Sequence, residues 1–282
     1  MVADTPALIA GAPAMLPVLR ALERLESSGA NVLILGEPGT GKGVVARSIH
    51  EASARASGPF VVVDAGGLTA NVLELADGGT LFLDEVGHMP LEDQAQLLLA
   101  LKTAADVRVL AATRLDMARE VADGRFRPDL LHELSTAELR LPPLRERRDD
   151  VPLLARHFLD RLARRQASRA STFTHGAMKA LADHSWPGNV RELEHVVERA
   201  LLVAEGDAIL AEDLGLRTRT GYGGVAGVAN DGEVLSLDQV EVVAIHRALV
   251  RTGGRVNEAA SLLGLSRSAL YRRLQHHGIK TR

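Results

Sequence analysis

The sequence contains no cysteine and few aromatic residues, and each shortage excludes a class of function. Without cysteine there can be no disulfide, thiolate metal site or cysteine nucleophile, which fits a reducing cytoplasm. Aromatic residues make up 3% of the chain, too few for the stacking platforms that bind single-stranded nucleic acid.

No apolar run approaches the ~18–20 residues of a membrane span. Residues 1–11 have no basic stretch before an apolar core, so they are not a signal peptide. We therefore expect a cytoplasmic protein with no membrane contact.

Basic charge is concentrated at the C-terminal end of the chain. Residues 236–282 carry eight lysine or arginine residues and three acidic ones, although the whole chain has a net charge of −3. A basic module on an acidic body indicates double-stranded DNA as a partner at that end. A basic helix that merely faces solvent is the alternative explanation.

A glycine-rich stretch lies between the apolar run Val32–Leu35 and a helical pattern. It reads Gly36, Glu37, Pro38, Gly39, Thr40, Gly41, Lys42 and is a complete G-x-x-x-x-G-K match. In this strand–loop–helix context, backbone N–H groups and the helix start hold phosphate oxygens, and Lys42 reaches the outer phosphates. Gly43 stands where a serine or threonine would coordinate magnesium. The stretch therefore predicts nucleotide binding, with turnover a separate question; a chance glycine-rich turn is the alternative.

A second apolar strand, Thr80–Leu83, ends in the acidic pair Asp84 and Glu85. Asp84 would hold Mg²⁺, directly or through water, and Glu85 would orient and deprotonate an attacking water. Such a pair is common by chance at a strand end. Downstream of a P-loop, it predicts ATP or ADP with Mg²⁺ as the ligands.

The periodicity divides the chain into four parts. Strands alternate with helices in residues 1–148, which predicts an α/β core with a mainly parallel sheet. Residues 149–216 show helical patterns only and are expected to form a small lid. Five glycines interrupt residues 217–235, as in a flexible linker. Residues 236–282 are expected to form a small all-α domain.

The last part has the pattern of a helix-turn-helix. An amphipathic helix over 237–251 precedes a short helix, Asn257–Leu263, a turn at Gly264 and a basic helix, Arg267–His276. The residues expected to cap this last helix or to face bases and phosphates are Ser266, Arg267, Ser268, Tyr271, Arg272 and Arg273. A purely structural helical hairpin is the alternative.

These motifs resemble those of the bacterial enhancer-binding proteins, the sigma-54-dependent transcription activators. Residues 9–215 resemble the AAA+ ATPase domain of that family, and residues 236–281 resemble its Fis-type DNA-binding domain. The matching phrases are Val32–Lys42, Ala76–Glu85, Leu141–Arg147 and Trp186–Leu193.

The resemblance implies a P-loop AAA+ core with a parallel sheet, an α-helical lid and a C-terminal helix-turn-helix. It makes Arg191 the sensor-2 arginine near the phosphates and Arg127 an arginine that acts on a neighbouring subunit's nucleotide. It also implies a homodimer through the C-terminal domain, leaves a higher ring oligomer open, and names RNA polymerase holoenzyme as a partner. Many members have an N-terminal receiver or ligand-sensing domain, and none fits in residues 1–8.

The departures from the family pattern are equally specific. The sigma-54-contacting sequence Gly-Ala-Phe-Thr-Gly-Ala does not occur, and segments 66–77 and 102–106 are short for the family's insertions. Four positions of the catalytic shell are also changed. Gly43 replaces a glutamate, Asp64 replaces an asparagine, Arg114 replaces the sensor-1 asparagine, and Glu133 replaces the second trans-acting arginine.

Three hypotheses follow from these features. The first is a DNA-binding transcriptional regulator that binds ATP, hydrolyses it weakly or not at all, and is not a standard sigma-54 activator. The second is an active AAA+ ATPase that remodels RNA polymerase or another partner at a promoter. The third is a nucleotide-free scaffold in which the P-loop is a relic.

Overall fold

The computed structural model of the chain describes residues 8–64, 70–102, 106–166, 169–216, 245, 252, 255–263, 265 and 267–276. The chain divides between Thr218 and Arg219 into two units. Predictions for the linker 217–235, for most of the helix 237–251 and for Ser266 lie outside the described residues.

A five-stranded parallel sheet forms the centre of the first unit, as the alternating pattern predicts. The strand order is β2-β3-β4-β1-β5, so β1 lies between β4 and β5. Its inner strands are almost continuously apolar because helices cover both faces. Since all strands run in one direction, their carboxyl ends meet at a single edge, where ligands of open α/β sheets bind. The strands are β1 Val32–Leu35, β2 Phe60–Asp64, β3 Thr80–Asp84, β4 Arg108–Thr113 and β5 Ala137–Arg140.

Helices pack on both faces of the sheet and enclose two apolar cores. One face is covered by α1 and α2, whose Val18, Leu22 and Ile49 are buried against the strands. The other is covered mainly by α4 and α6, through Leu97 and Leu130. The helices are α1 Leu16–Glu26, α2 Lys42–Glu51, α3 Ala70–Leu75, α4 Leu91–Lys102, α5 Met117–Ala122 and α6 Pro128–Leu134, and 3₁₀ turns span Pro13–Met15, Val86–His88 and Leu144–Glu146.

Three helices form the lid, namely α7 Asp150–Gln166, α8 His175–Asp183 and α9 Asn189–Val203. Their apolar faces close around Trp186, which is fully buried and donates its indole N–H to the Leu181 carbonyl at 3.0 Å. Thr174 caps α8 by accepting a hydrogen bond from the Ala177 N–H. The lid therefore has its own core and can hold the start of α9 in a fixed position.

The prediction that this region is helical only was wrong. Thr172–Phe173 (β6) and Ala208–Ile209 (β7) form a short parallel pair. The pair joins the chain before α8 to the chain after α9, and it is extended by a bond from the Thr174 N–H to the Ile209 carbonyl. Two-residue strands have no periodicity to detect; they form because backbone groups that leave a helix need partners.

The second unit contains two described helices, α10 Val256–Leu262 and α11 Arg267–His276. Ala259 and Ala260 pack against Leu270 and Leu274, and all four side chains are buried. Ile245, the one described residue of the predicted first helix, is helical and buried in the same cluster. Within the described parts of the chain, no helix has the length and apolar character needed to cross a bilayer.

Candidate functional site

The P-loop joins the end of β1 to the start of α2. Gly39 and Gly41 have φ values of +77° and +102°, which glycine adopts readily and other residues rarely do. At Gly39 a side chain would also collide with the lid, because a Cβ atom there would lie 2.2 Å from the Gly188 carbonyl oxygen. The loop conformation thus depends on glycine at these positions.

Lys42 places its ammonium group inside the loop. Its Nζ donates to the Gly36 carbonyl at 3.0 Å and lies 3.3 Å from Glu85 Oε1, and the residue is 7% exposed. A buried ammonium needs such partners to offset the loss of hydration. The positive charge is therefore fixed at the mouth of the P-loop and faces the acidic end of β3.

The acidic pair lies at the carboxyl end of β3. Asp84 Oδ1 accepts the Glu85 N–H at 3.1 Å, and Glu85 Oε2 accepts the Arg114 N–H at 3.3 Å. Glu85 has a φ of +51°, an unusual value for a non-glycine residue and one often found at functional sites. Asp64, on β2, is paired in register with Asp84. Three carboxylates therefore stand at neighbouring strand ends.

A cavity of about 260 Å³ brings the P-loop, the acidic pair and the lid together. Arg191, in the first turn of α9, lines it together with Lys42 and Asp84. The full lining is Pro38, Gly39, Gly41, Lys42, Gly43, Val44, Asp84, Glu85, Val190, Arg191 and Glu194. An adjoining cavity of about 110 Å³ shares Val44 and Val190 with it and has a more apolar lining that includes Ile9, Leu154 and Phe158. A charged compartment thus adjoins a more apolar one.

The donor set suits a magnesium ion that is held mostly by water and phosphate. Among the described residues, no three His, Asp or Glu side chains cluster into an all-protein metal site. Mg²⁺ in phosphate-transfer sites typically takes only one or two carboxylates. Asp84, at the strand end beside the cavity, is placed to supply one.

Arg127 does not line this cavity. It stands at the N-cap position of α6, and its guanidinium binds Asp129 with distances of 3.0 and 2.7 Å. Glu133, on the same helix, contributes its carbonyl oxygen to the Asn31 side chain. Arg127 therefore pairs with an acidic residue of its own helix and is not among the residues that line the P-loop cavity; its action on a neighbouring subunit stays a prediction.

Sequence reasoning assigned Arg145, Arg147 and Arg148 to a core–lid junction, but it missed Asp150 and the bonding partner of Arg147. Arg147 is buried and donates to the Thr40 carbonyl at 2.6 Å, and burial lowers the pKa of its guanidinium. Asp150 accepts the Gly11 and Ala12 N–H groups at 2.6 and 2.7 Å. The arginines near residue 145 point to a core–lid junction, but these long-range partners leave no local pattern in the sequence.

Of the six predicted DNA-facing residues, the structure places three side chains at the surface. Arg267, Arg272 and Arg273 are exposed on α11. Ser268 and Tyr271 lie within the same helix, and Ser266 is outside the described residues. A short helix packed on an exposed basic helix is the arrangement that places a recognition helix in the DNA major groove.

Family comparisons divide the chain in three. Residues 9–144 match a profile described as "Sigma-54 interaction domain", residues 145–223 match "AAA+ ATPase lid domain", and residues 236–277 match "Bacterial regulatory protein, Fis family".

Individual proteins resemble nearly the whole chain. The transcriptional regulatory protein ZraR of Klebsiella oxytoca is 39% identical, with 97% of this chain and 70% of that protein covered. The alginate biosynthesis transcriptional regulatory protein AlgB of Pseudomonas aeruginosa is 37% identical, with 95% and 66% covered.

Solved structures agree with these sequence relatives. NtrX from Brucella abortus in complex with ADP has a TM-score of 0.70 and 31% identity, with 96% of this chain and 68% of that chain covered. The ATP complex of NtrX has a TM-score of 0.69 and 32% identity, with 96% and 70% covered. The chain therefore belongs to the sigma-54-dependent family of bacterial transcriptional regulators, with an AAA+ domain and a Fis-type helix-turn-helix.

Proposed function

We propose that this DNA-binding transcriptional regulator uses its AAA+ domain as a nucleotide-binding module with weak or no ATP hydrolysis, and that it is not a standard sigma-54 activator. One observation carries the proposal: the groups that bind a nucleotide converge on one cavity, whereas the groups that complete hydrolysis are altered. In this role the nucleotide is a ligand that favours one arrangement or oligomer of the protein.

Binding of ATP or ADP with Mg²⁺ is supported by the geometry of the loop and its surroundings. Lys42, Asp84 and Arg191 line the same cavity, and a more apolar compartment adjoins it. The related NtrX has been crystallised with ADP and with ATP.

Weak hydrolysis is supported by the changed positions around Glu85. Sensor-1 Arg114 contacts Glu85 only through its backbone N–H, and Asp64 adds a negative charge at the neighbouring strand end. Glu133 stands where a trans-acting arginine is expected, and such an arginine can be worth ~10³–10⁵ in rate. A Cβ atom at Gly43 would meet only Phe82 Cε1, at 3.7 Å, so lack of space is not the reason that this position has no side chain.

A role other than standard sigma-54 activation is supported by the missing loop sequence. The hexapeptide Gly-Ala-Phe-Thr-Gly-Ala is absent from the chain. The alignment with ZraR extends over 312 positions, whereas this chain has 282 residues, so that relative has at least 30 residues opposite gaps in this chain. The shortened segments between β2 and β3 and before β4 agree with such gaps.

The partners follow from the same modules. The helix-turn-helix would read two symmetric half-sites of double-stranded DNA as a homodimer formed through the C-terminal domain. RNA polymerase holoenzyme is the proposed protein partner at the promoter, and a higher ring oligomer is compatible with Arg127 on an exposed helix start.

Nucleotide binding and hydrolysis measured on one purified sample test the proposal. We expect ATP and ADP to bind at millimolar concentration or below, Lys42→Ala to abolish binding, and multiple-turnover hydrolysis to stay near that variant's background. Absence of nucleotide binding would leave the scaffold hypothesis. ATP-dependent promoter opening with sigma-54 polymerase would refute the proposal.

An active ATPase is the second candidate function. The chain retains five residues that hydrolysis would use, namely Lys42, Asp84, Glu85, Arg127 and Arg191. All of them except Arg127 line the P-loop cavity, and Lys42 lies 3.3 Å from Glu85. Multiple-turnover hydrolysis that disappears in Lys42→Ala would favour this alternative.

A further inference from the structure

The phosphate-binding loop contains a carboxylate of its own. Glu37 is the second residue of the G-x-x-x-x-G-K stretch, next to the cavity that Pro38 and Gly39 line. A negative charge within a loop that is to bind a polyphosphate opposes binding unless it is neutralised. The structure shows two groups that act on this carboxylate.

Arg145 is the first group, and it binds Glu37 through both guanidinium nitrogens. Nη2 donates to Oε1 at 2.6 Å and Nη1 donates to Oε2 at 2.8 Å, the paired geometry in which arginine binds carboxylates best. The Arg145 hydrogen bonds are the main reason that the pKa of Glu37 lies below its usual value. The carboxylate is thus charged and compensated.

The ion pair between Arg145 and Glu37 contributes little to folding stability. The two side chains are 44% and 40% exposed, and ion pairs at such sites typically contribute 0–1 kcal/mol to stability. Arg145 belongs to the turn Leu144–Glu146, which leads from the core into the lid. Its position at the P-loop therefore points to binding rather than stability.

Asn189 is the second group, and it joins the loop to the lid. It is fully buried with a φ of +54°, and it forms the first residue of α9. Its Nδ2 donates to Glu37 Oε2 at 3.2 Å and to the Pro38 carbonyl at 3.0 Å, while its Oδ1 accepts the Leu144 N–H at 2.7 Å. One side chain therefore fixes the P-loop, the core–lid turn and the lid helix together.

Backbone contacts continue the same attachment. The Val190 and Arg191 N–H groups at the start of α9 lie 2.9 and 3.3 Å from the Gly39 carbonyl oxygen and donate to it. Arg191 also lines the cavity. Any shift of the loop must therefore move the residue that the family assigns to the phosphates.

We propose that Arg145 and Asn189 are positioning residues for nucleotide binding: Arg145 neutralises Glu37, and Asn189 holds the P-loop and the lid helix together, so that the loop accepts phosphate. This inference rests on the proposed nucleotide binding. It assigns a charge-compensating role to Arg145 that is distinct from direct contact with the ligand.

The test compares MgATP affinity in Arg145→Ala, Glu37→Gln and the double variant. Arg145→Ala leaves the carboxylate uncompensated and should weaken binding about tenfold, the scale of one added charge near the site. Glu37→Gln removes that charge while keeping an acceptor for Asn189, so it should bind at least as tightly as the wild type. The double variant should regain most of the lost affinity.

A structural role predicts a different pattern. If the ion pair merely braces the loop, Glu37→Gln should weaken binding as much as Arg145→Ala, and the double variant should show no recovery. Either result would overturn the inference, as would full affinity in Arg145→Ala. Arg165→Ala, which removes an exposed arginine in the last turn of α7, is the matched control and should bind like the wild type.

Asn189→Asp supplies an independent check. It keeps the oxygen that accepts the Leu144 N–H, but it loses the donor to the Pro38 carbonyl and places a carboxylate against Glu37. It should therefore weaken MgATP binding, and Glu37→Gln should restore the part of the loss that the two facing carboxylates cause. Failure of Glu37→Gln to restore binding would contradict the proposed role of Asn189. If wild type and Lys42→Ala both fail to bind nucleotide, the proposed function fails instead, and the two failures are thereby distinguished.

Discussion

At the scale of single residues, the proposed weak hydrolysis depends on the charges around Glu85. Glu85 is held by Lys42 on one side and by the Arg114 N–H on the other. Asp64 stands on the adjacent strand in register with Asp84, and it is exposed. A third carboxylate there can neither donate a hydrogen bond to Glu85 when ionised nor favour an incoming phosphate.

Asp64→Asn should therefore raise ATP hydrolysis. The amide removes one negative charge from the strand end beside Asp84 and supplies a hydrogen-bond donor there; one such interaction is worth about 1 kcal/mol, or roughly fivefold in rate. The measurement is kcat of the variant against wild type and Lys42→Ala. Asp183→Asn, at the exposed end of α8, is the matched control and should not change kcat.

An unchanged kcat in Asp64→Asn would show that Asp64 is not what limits turnover. The remaining altered positions, above all Glu133, would then have to account for the proposed low rate of hydrolysis. A kcat that rises only when Asp64→Asn is combined with Glu133→Arg would assign the limit to both residues.

At the scale of elements, the sequence predicted those strands, loops and helices that have a recognisable pattern of residue types. The apolar runs that became β1 and β3, and the glycine-rich loop between β1 and α2, could be located because burial on both faces and positive φ restrict the residue types allowed. The same holds for Leu270 and Leu274, because a spacing of four residues places both on one face of a helix, and both are buried.

What could not be predicted depends on contacts between distant segments. The β6–β7 pair brings together residues near 172 and near 208, and Asn189 reaches Glu37 across 152 positions of sequence. Neither contact leaves a repeat or a motif at either end. The contact between Arg127 and Asp129 at the start of α6 could likewise be seen only in the structure, because Pro128 indicates a helix start but not the direction of the Arg127 side chain.

The attachment of the lid to the P-loop gives a prediction for glycine replacements. Gly39→Ala must accommodate a Cβ 2.2 Å from the Gly188 carbonyl oxygen as well as a φ of +77°. Gly41→Ala has the backbone strain alone, since its Cβ would meet no atom within 4 Å. Strain of this kind costs about 1–3 kcal/mol, so Gly39→Ala should destabilise the AAA+ unit by more than Gly41→Ala.

Urea unfolding of the two variants, followed by tryptophan fluorescence, measures this difference. Trp186 is the single tryptophan of the chain and lies buried in the lid, so its signal reports the unit that the contact holds. If both variants lost the same free energy of unfolding, the loop could move away from the lid without destabilising the protein. The close approach of Gly39 to Gly188 would then not contribute to stability.

At the scale of the whole molecule, the nucleotide unit and the DNA-binding unit are built differently. The first unit buries a sheet between helices and has a second core in its lid. The described residues of the second unit include a smaller cluster around Ile245, Ala259 and Leu270. The exposed arginines of α11 do not belong to that cluster, so recognition is their expected role.

Recognition by α11 gives the last prediction. Arg272→Ala and Arg273→Ala should weaken binding to duplex DNA, because arginines exposed on a recognition helix meet phosphates or base edges. Loss of a phosphate contact also releases one counterion fewer, so the slope of log K against log salt should become shallower by ~1. A base contact would lower affinity with little change in that slope.

Arg255→Ala is the matched control, since its guanidinium binds Glu258 at 2.8 Å on α10. Full affinity and an unchanged slope in both α11 variants would show that the recognition surface lies elsewhere in the chain.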